Sequence, residues 1–324
     1  MRSAFLYVKT SLFDIIFSVG IFKSFHKERN SPIMTQNNNT VCFIGGDERQ
    51  KYAVEELSEY INVNTVGTIF ENIKKSNVKH FDSPQKAIYG VAAIILPLPA
   101  AASENEVAFT ELVASTVKLN EKPYIIGGKF SPYLKGIIEM HGIKYIDYYA
   151  NESFTLRNAY LTAEGAVHLA MASTKGALRF SRCAVIGFGR IGKALSEMLR
   201  GFNSEVTVWA RRDDALTLAE ENGFKVQKIS DGGKSLSKLS NGFDIIFNTV
   251  PERIFSNELL ISIPQNTVLM ELASAPGGFD SDIAMQCELK FVDGRGIPGK
   301  YAPKAAGRVV SDTVLQYLKR EELI

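Results

Sequence analysis

Ala184-Val185-Ile186 runs straight into Gly187-Phe188-Gly189-Arg190-Ile191-Gly192, after which Lys193 to Leu199 continues with helical spacing. Three glycines so spaced between a strand and a helix do different jobs. The first permits a tight turn, the second lets a pyrophosphate approach the backbone, and the third lets the helix pack on the strand. The unpaired N–H groups at the helix start would face the phosphates. The chemistry implied is the holding of a dinucleotide. An unmodified ribose would be met by a carboxylate about 20 residues on, but there the second strand ends in Val208-Trp209-Ala210-Arg211-Arg212. Guanidinium groups match a phosphate in charge and in forked donors. Arg211 and Arg212 therefore predict NADP(H) over NAD(H), with a solvated surface charge the plain alternative for one of them.

Asn248-Thr249-Val250-Pro251 ends a later strand of the same sheet. Carboxyl ends of parallel strands face the ligand crevice, so Thr249, Val250 and Pro251 are expected beside the nicotinamide half. Glu271 to Gly278 and Asp293 to Gly299 end the next two strands with Gly and Pro turns, which suggests a shaped cleft. Near predicted strand ends stand Asp47, Glu48 and Arg49, then Arg253, Arg295, Lys300 and Lys304. Cations converging on one cleft would suit a small dicarboxylate. The histidines, His26, His80, His141 and His168, all precede the glycine loop, which disfavours a 2-hydroxy acid dehydrogenase, whose catalytic His follows it. No nucleophile elbow, HExxH or metal-ligand cluster is visible.

The elements that must position these groups follow from the pattern of the chain. Its 324 residues make two domains at about 150 each. Thirty-seven Lys and Arg against thirty-five Asp and Glu leave +2, far from the basic excess a nucleic-acid surface needs. Cys42, Cys183 and Cys287 are isolated, so no disulfide framework or zinc knuckle is indicated and a cytoplasmic setting is expected. From Thr40, short apolar runs alternate with longer amphipathic ones, predicting an α/β fold of two domains, the second a Rossmann-type doubly wound parallel sheet. The expected limits are 40–150 for a first α/β substrate domain, 151–177 for a connecting helix, 178–300 for the NADP-binding domain and 301–324 for a C-terminal helix. Residues 1–39 read as an extension, with Met34 the expected natural start. Phe5 to Phe22 is apolar-rich but interrupted by Lys9 and Asp14, so no membrane partner is expected.

Gly45-Gly46-Asp47-Glu48-Arg49-Gln50, Asn158 with Thr162-Ala163-Glu164-Gly165, the glycine loop, Asn248 to Pro251, Leu272 to Gly278 and Gly296-Ile297-Pro298-Gly299-Lys300-Tyr301-Ala302-Pro303-Lys304-Ala305-Ala306-Gly307 resemble, in order, the dipicolinate synthase A-subunit family. Ala305 departs from the Thr expected there. The resemblance runs from about Val41 to Leu318 and leaves the first 33 residues outside. It implies dehydration and NADP-dependent oxidation of a dihydro- or 4-hydroxytetrahydrodipicolinate to dipicolinate, on a branch of the lysine pathway, in the mother cell of a sporulating bacterium. It also implies a second, flavoprotein-like B-type subunit of the synthase. On this reading Lys300 or Lys304 anchors a carboxylate and Asp47 or Glu164 assists proton transfer. Two alternatives stay open. One is a dinucleotide-binding sensor or scaffold protein; the other is a different two-domain NADP-dependent oxidoreductase of small amino or keto acids.

Overall fold

Two parallel sheets of identical strand order carry the fold. The computed structural model describes residues 39–100 and 106–324; the stretch preceding Asn39, with Met34 and the Phe5 to Phe22 run, lies outside the described residues. The first sheet contains β1 (Thr40–Ile44), β2 (Asn62–Val66), β3 (Val78–Phe81), β4 (Ala93–Ile95), β5 (Tyr124–Gly127) and β6 (Tyr145–Asp147). Its spatial order is β3-β2-β1-β4-β5-β6. The second contains β7 (Arg182–Ile186), β8 (Glu205–Ala210), β9 (Lys225–Lys228), β10 (Ile245–Asn248), β11 (Val268–Glu271) and β12 (Lys290–Asp293), in the order β12-β11-β10-β7-β8-β9. Counted within each sheet, both orders are 3-2-1-4-5-6, the doubly wound arrangement in which ligands bind where the strand order reverses. The reversal falls between β1 and β4 in the first sheet and between β7 and β10 in the second. Helices cover both faces, so central strands read as continuous apolar runs: Val41, Cys42 and Phe43 of β1 and Cys183 to Ile186 of β7 have no exposed surface.

The helices are α1 (Glu48–Leu57), α2 (Pro84–Ala87), α3 (Glu106–Val117), α4 (Pro132–Met140), α5 (Glu152–Ser173), α6 (Arg190–Gly201), α7 (Asp213–Glu221), α8 (Asn257–Ser262), α9 (Ser281–Gln286), α10 (Ile297–Tyr301) and α11 (Pro303–Arg320). Three of them tie the sheets together. α5 shares its 22 residues between two cores: Phe154 packs with the core under β1 and β2, whereas Ala163, Ala166, Val167 and Ala170 pack with that under β7 and β8. α10 returns from β12 and lies against α5, where a Cβ on Gly165 would sit 2.0 Å from Ile297 Cγ2. α11 then lies along α1, and Val309, Val310, Val314 and Leu318 complete the first domain's core. The C-terminal helix is thus part of the first domain, and its approach is close enough that a Cβ on Gly307 would meet Arg49 O and Tyr52 Cβ at 2.6 Å.

Candidate functional site

At the end of β1, Gly45 and Gly46 take positive φ angles of 63° and 113° and turn the chain into α1. Asp47 caps that helix, accepting from Arg49 N at 3.0 Å. The Arg49 guanidinium engages the same carboxylate, with Nε 2.9 Å from Oδ1 and Nη2 2.7 Å from Oδ2. Arg49 Nη2 also donates to Leu98 O at 2.8 Å, just past β4, and so bridges the switch point of the first sheet. Against this pair lies α10: a Cβ on Gly299 would be 2.7 Å from Asp47 Oδ2 and 2.8 Å from Arg49 Nε. The segment 296–300 is therefore seated on the first domain's strand ends although it follows the last strand of the second.

In the second sheet the glycine loop makes a tight turn and brings helix close onto strand. Gly187 has φ 97°, and its backbone N donates to Trp209 O at 2.7 Å, tying the turn to β8. A Cβ there would meet Thr249 Oγ1 at 2.4 Å, and Thr249 Oγ1 donates to Ile186 O at 2.8 Å, tying the turn to β10. A Cβ on Gly192 would lie 2.1 Å from Gly187 O, the close packing of helix on strand. Above Gly189, the N-cap of α6, space is open, with no atom within 4 Å of where a Cβ would stand. Exposed first-turn N–H groups with room in front of them fit a dinucleotide pyrophosphate. Val250 lines the same turn and Pro251 is exposed beyond it. The Phe188 ring is turned inward, edge-on to Phe224 at 6.0 Å, so only its backbone is available to a ligand. Ile191 is partly buried against the same core. Arg190 pairs with Glu152 of α5, with Nε to Oε1 at 2.9 Å.

The two arginines expected to hold a phosphate both have carboxylate partners. Arg211 forms a forked contact with Glu252, at 2.7 and 2.8 Å. Arg212 pairs with Asp214 in the first turn of α7, which holds the Asp214 carboxyl down at about 2.

Two buried polar residues organise the neighbouring strand ends. Glu271 closes β11 and accepts from Asn248 Nδ2 at 2.7 Å, Ala273 N at 2.9 Å and Gly278 N at 2.8 Å. Burial raises its carboxyl above the ordinary range, against the pull of those three donors. Asn248 closes β10 and also donates to Val250 O at 2.9 Å, so one amide links the 249–251 corner to the 272–278 loop. That loop reaches the first sheet: Lys129 Nζ, just past Gly127-Gly128 at the end of β5, donates to Ser274 Oγ at 2.9 Å. At the end of β12, Arg295 bonds Asp293 through Nε and Nη2 at 2.8 Å and lowers its carboxyl, with the Lys300 charge acting in the same direction.

Of the residues expected to handle substrate, the structure brings Asp47 into contact with the α10 segment that carries Lys300. Lys304 instead lines a groove of about 540 Å³ with Tyr52, Glu56, Tyr301 and Arg308. Glu164 is exposed on α5, next to the Gly165 that receives Ile297. A cavity of about 580 Å³, lined by Lys175, Arg179, Phe180, Asp244 and Lys290, lies at the opposite, amino end of the second sheet. Sequence reasoning passes over Glu252, Glu271, Asn248 and Lys129 as site residues. A polar residue closing an otherwise apolar strand, as in Ile-Ile-Phe-Asn and Val-Leu-Met-Glu, is the available signal for two of them. Among the described residues no cluster of metal-ligating side chains occurs, and no helix is long and apolar enough to cross a membrane.

Residues 157–275 match the family described as D-isomer specific 2-hydroxyacid dehydrogenase, NAD binding domain. With the glycine turn and the 3-2-1-4-5-6 sheet, this defines a two-domain α/β protein of dehydrogenase type whose second domain holds a nicotinamide dinucleotide. The histidine of the hydroxy acid enzymes has no counterpart after the loop, so the match describes the domain rather than their chemistry. Residues 40–149 match a second family, the N-terminal domain of the dipicolinate synthase A subunit. The A subunit of dipicolinate synthase from Bacillus subtilis (strain 168) is 27% identical over 294 residues, covering 86% of this chain and 95% of that one. The crystal structure of the corresponding A subunit from Bacillus halodurans superposes with a TM-score of 0.76 at 24% identity, covering 88% and 99% of the two chains. The fold extends further, to a transhydrogenase from Sinorhizobium meliloti with a TM-score of 0.62 at 14% identity, covering 87% and 95%. Over most of its length the chain is thus similar to dipicolinate synthase A subunits.

Proposed function

We propose that this chain is the oxidoreductase component of a dipicolinate synthase, converting a 4-hydroxytetrahydrodipicolinate, through loss of water, to a dihydropyridine dicarboxylate and then to dipicolinate with NADP as acceptor. The observation that carries the reading is the seating of the α10 segment on Asp47 and Arg49, because it joins the strand ends of the dinucleotide-binding sheet to a rim bearing both signs of charge. When bound, the nicotinamide ring supplies a hydride acceptor at C4. The chain's own share is orientation and proton management. The α6 N-terminus and the glycine turn hold the pyrophosphate, and Arg211 and Arg212 meet the 2′-phosphate. Lys300, near the Asp293–Arg295 pair, anchors a substrate carboxylate. Asp47, whose carboxylate is fixed by Arg49, accepts a ring proton as aromaticity develops. The expected partner is the flavoprotein-like B-type component of the synthase, and the expected setting is the mother cell of a sporulating bacterium.

The test is absorbance in the reduced-nicotinamide band when the purified chain receives NADP and the cyclic dicarboxylate formed from aspartate semialdehyde, with and without the B-type component. Substrate-dependent reduction that is lost in Lys300→Ala supports the reading. Coenzyme binding without reduction under either condition would leave a sensor or scaffold protein in its place.

A further inference from the structure

We infer that Glu252 sets the coenzyme selectivity of this site by competing with the coenzyme's 2′-phosphate for Arg211; the inference rests on the reading that the second sheet binds a nicotinamide dinucleotide. β7, which carries the glycine turn, lies between β10 and β8. Arg211 is the first residue past β8, and Glu252 lies shortly past the end of β10. Their forked ion pair, at 2.7 and 2.8 Å, therefore crosses over the carboxyl end of β7. With strands about 4.8 Å apart, the flanking ends it joins are separated by about 10 Å. Both supports of this crossbar are fixed to the turn beneath, one by Gly187 N to Trp209 O and the other by Thr249 Oγ1 to Ile186 O. Open space lies over Gly189. A dinucleotide laid along the turn, with its adenosine ribose at the end of β8, must meet the pair.

The two side chains are 57% and 54% exposed, so the pair is weak and readily exchanged. A 2′-phosphate offers the guanidinium a doubly charged, forked partner and repels the carboxylate it displaces. NAD(H) presents no such anion and leaves the pair in place. The carboxylate thus narrows the preference for NADP(H) that the arginines would otherwise confer. Arg212 is outside this competition, since its partner Asp214 belongs to the same turn of the chain.

Calorimetric titration of the full chain with NADP and with NAD tests the inference in wild type, Glu252→Gln, Arg211→Gln and the double variant. Glu252→Gln should tighten NADP about three- to tenfold while NAD stays within about twofold, with the gain shrinking at high salt. Arg211→Gln should weaken NADP about tenfold or more, and in that background Glu252→Gln should add nothing. An unchanged NADP to NAD ratio in Glu252→Gln, or a loss of NAD affinity showing that Glu252 receives ribose hydroxyls, would overturn the inference while leaving the dinucleotide site standing. Failure of the wild-type chain to take up either coenzyme would overturn the site itself. The emission of Trp209, the sole tryptophan, reports that each variant is folded, and Glu252→Ala repeats the test if the amide disturbs the loop.

Discussion

Asn248 Nδ2 meets Glu271 Oε1 at 2.7 Å where two adjacent strands end, and both residues are shut away from solvent, at 0% and 3% exposure. The carboxyl is surrounded by donors, so the pair fixes two loops at once. Burial nevertheless raises its proton affinity in the folded chain, so the folded state binds more protons than the unfolded one and stability falls as pH rises above about 4.5 through its titration. Glu271→Gln should abolish that part of the slope. It should also cost on the order of 1–3 kcal/mol, because an amide NH₂ would face Gly278 N–H. Urea unfolding from about pH 4 to 7 checks this; parallel profiles for wild type and variant would contradict it.

The glycine loop separates folding from binding. Gly189→Ala places a methyl in open space at a φ of −80°, so the melting temperature should stay within about 2 °C while dinucleotide uptake is lost. Gly192→Ala drives a methyl to 2.1 Å from a backbone carbonyl and should lower both stability and uptake. Thermal melts beside calorimetry distinguish the two, and equal loss of stability in both variants would refute the assignment.

Docking of α10 on α5 depends on the missing side chain at Gly165. Gly165→Ala should destabilise by about 1–3 kcal/mol through overpacking against Ile297 Cγ2. Ile297→Ala alone should cost about 2–5 kcal/mol as a cavity. Together they should cost clearly less than their sum, since each fills or vacates the same space. Additive losses in denaturant unfolding would show that the two residues do not meet.

Thiol chemistry should be selective. Burial pushes Cys42 up to about 12 and Cys183 up to about 11, and both lack exposed surface, whereas Cys287 is partly exposed. A neutral-pH thiol reagent should label Cys287 in the native protein and all three cysteines after unfolding. Mass spectrometry of labelled peptides reads the order, and early modification of Cys42 would count against the first sheet as described.

Much of this fold is legible in the chain because the strands at the middle of each sheet are mainly apolar. Val41 to Ile44, Arg182 to Ile186 and the sequence from Thr267 to Glu271 stand out as runs, and the spacing of Val310, Val314 and Leu318 marks α11 over its observed length. The edge strands β3 and β9 give no such signal. Val78-Lys79-His80-Phe81 and Lys225-Val226-Gln227-Lys228 each pair on one side and expose half their residues, so they carry polar side chains and no run. The glycine loop is readable because its demands are local. The Arg211–Glu252 crossbar, the Lys129–Ser274 contact and the seating of Gly299 on Asp47 are not, since each joins residues brought together only by the winding of two sheets.

The return of α11 to the first domain has a consequence for how the protein is made. A ribosome finishes β1 to β6 long before it reaches Pro303, yet the apolar face of α1 and the nearby strands awaits Val309, Val310, Val314 and Leu318. The domain whose strands are synthesised first is therefore the one whose core is completed last, by residues that follow the whole dinucleotide-binding sheet.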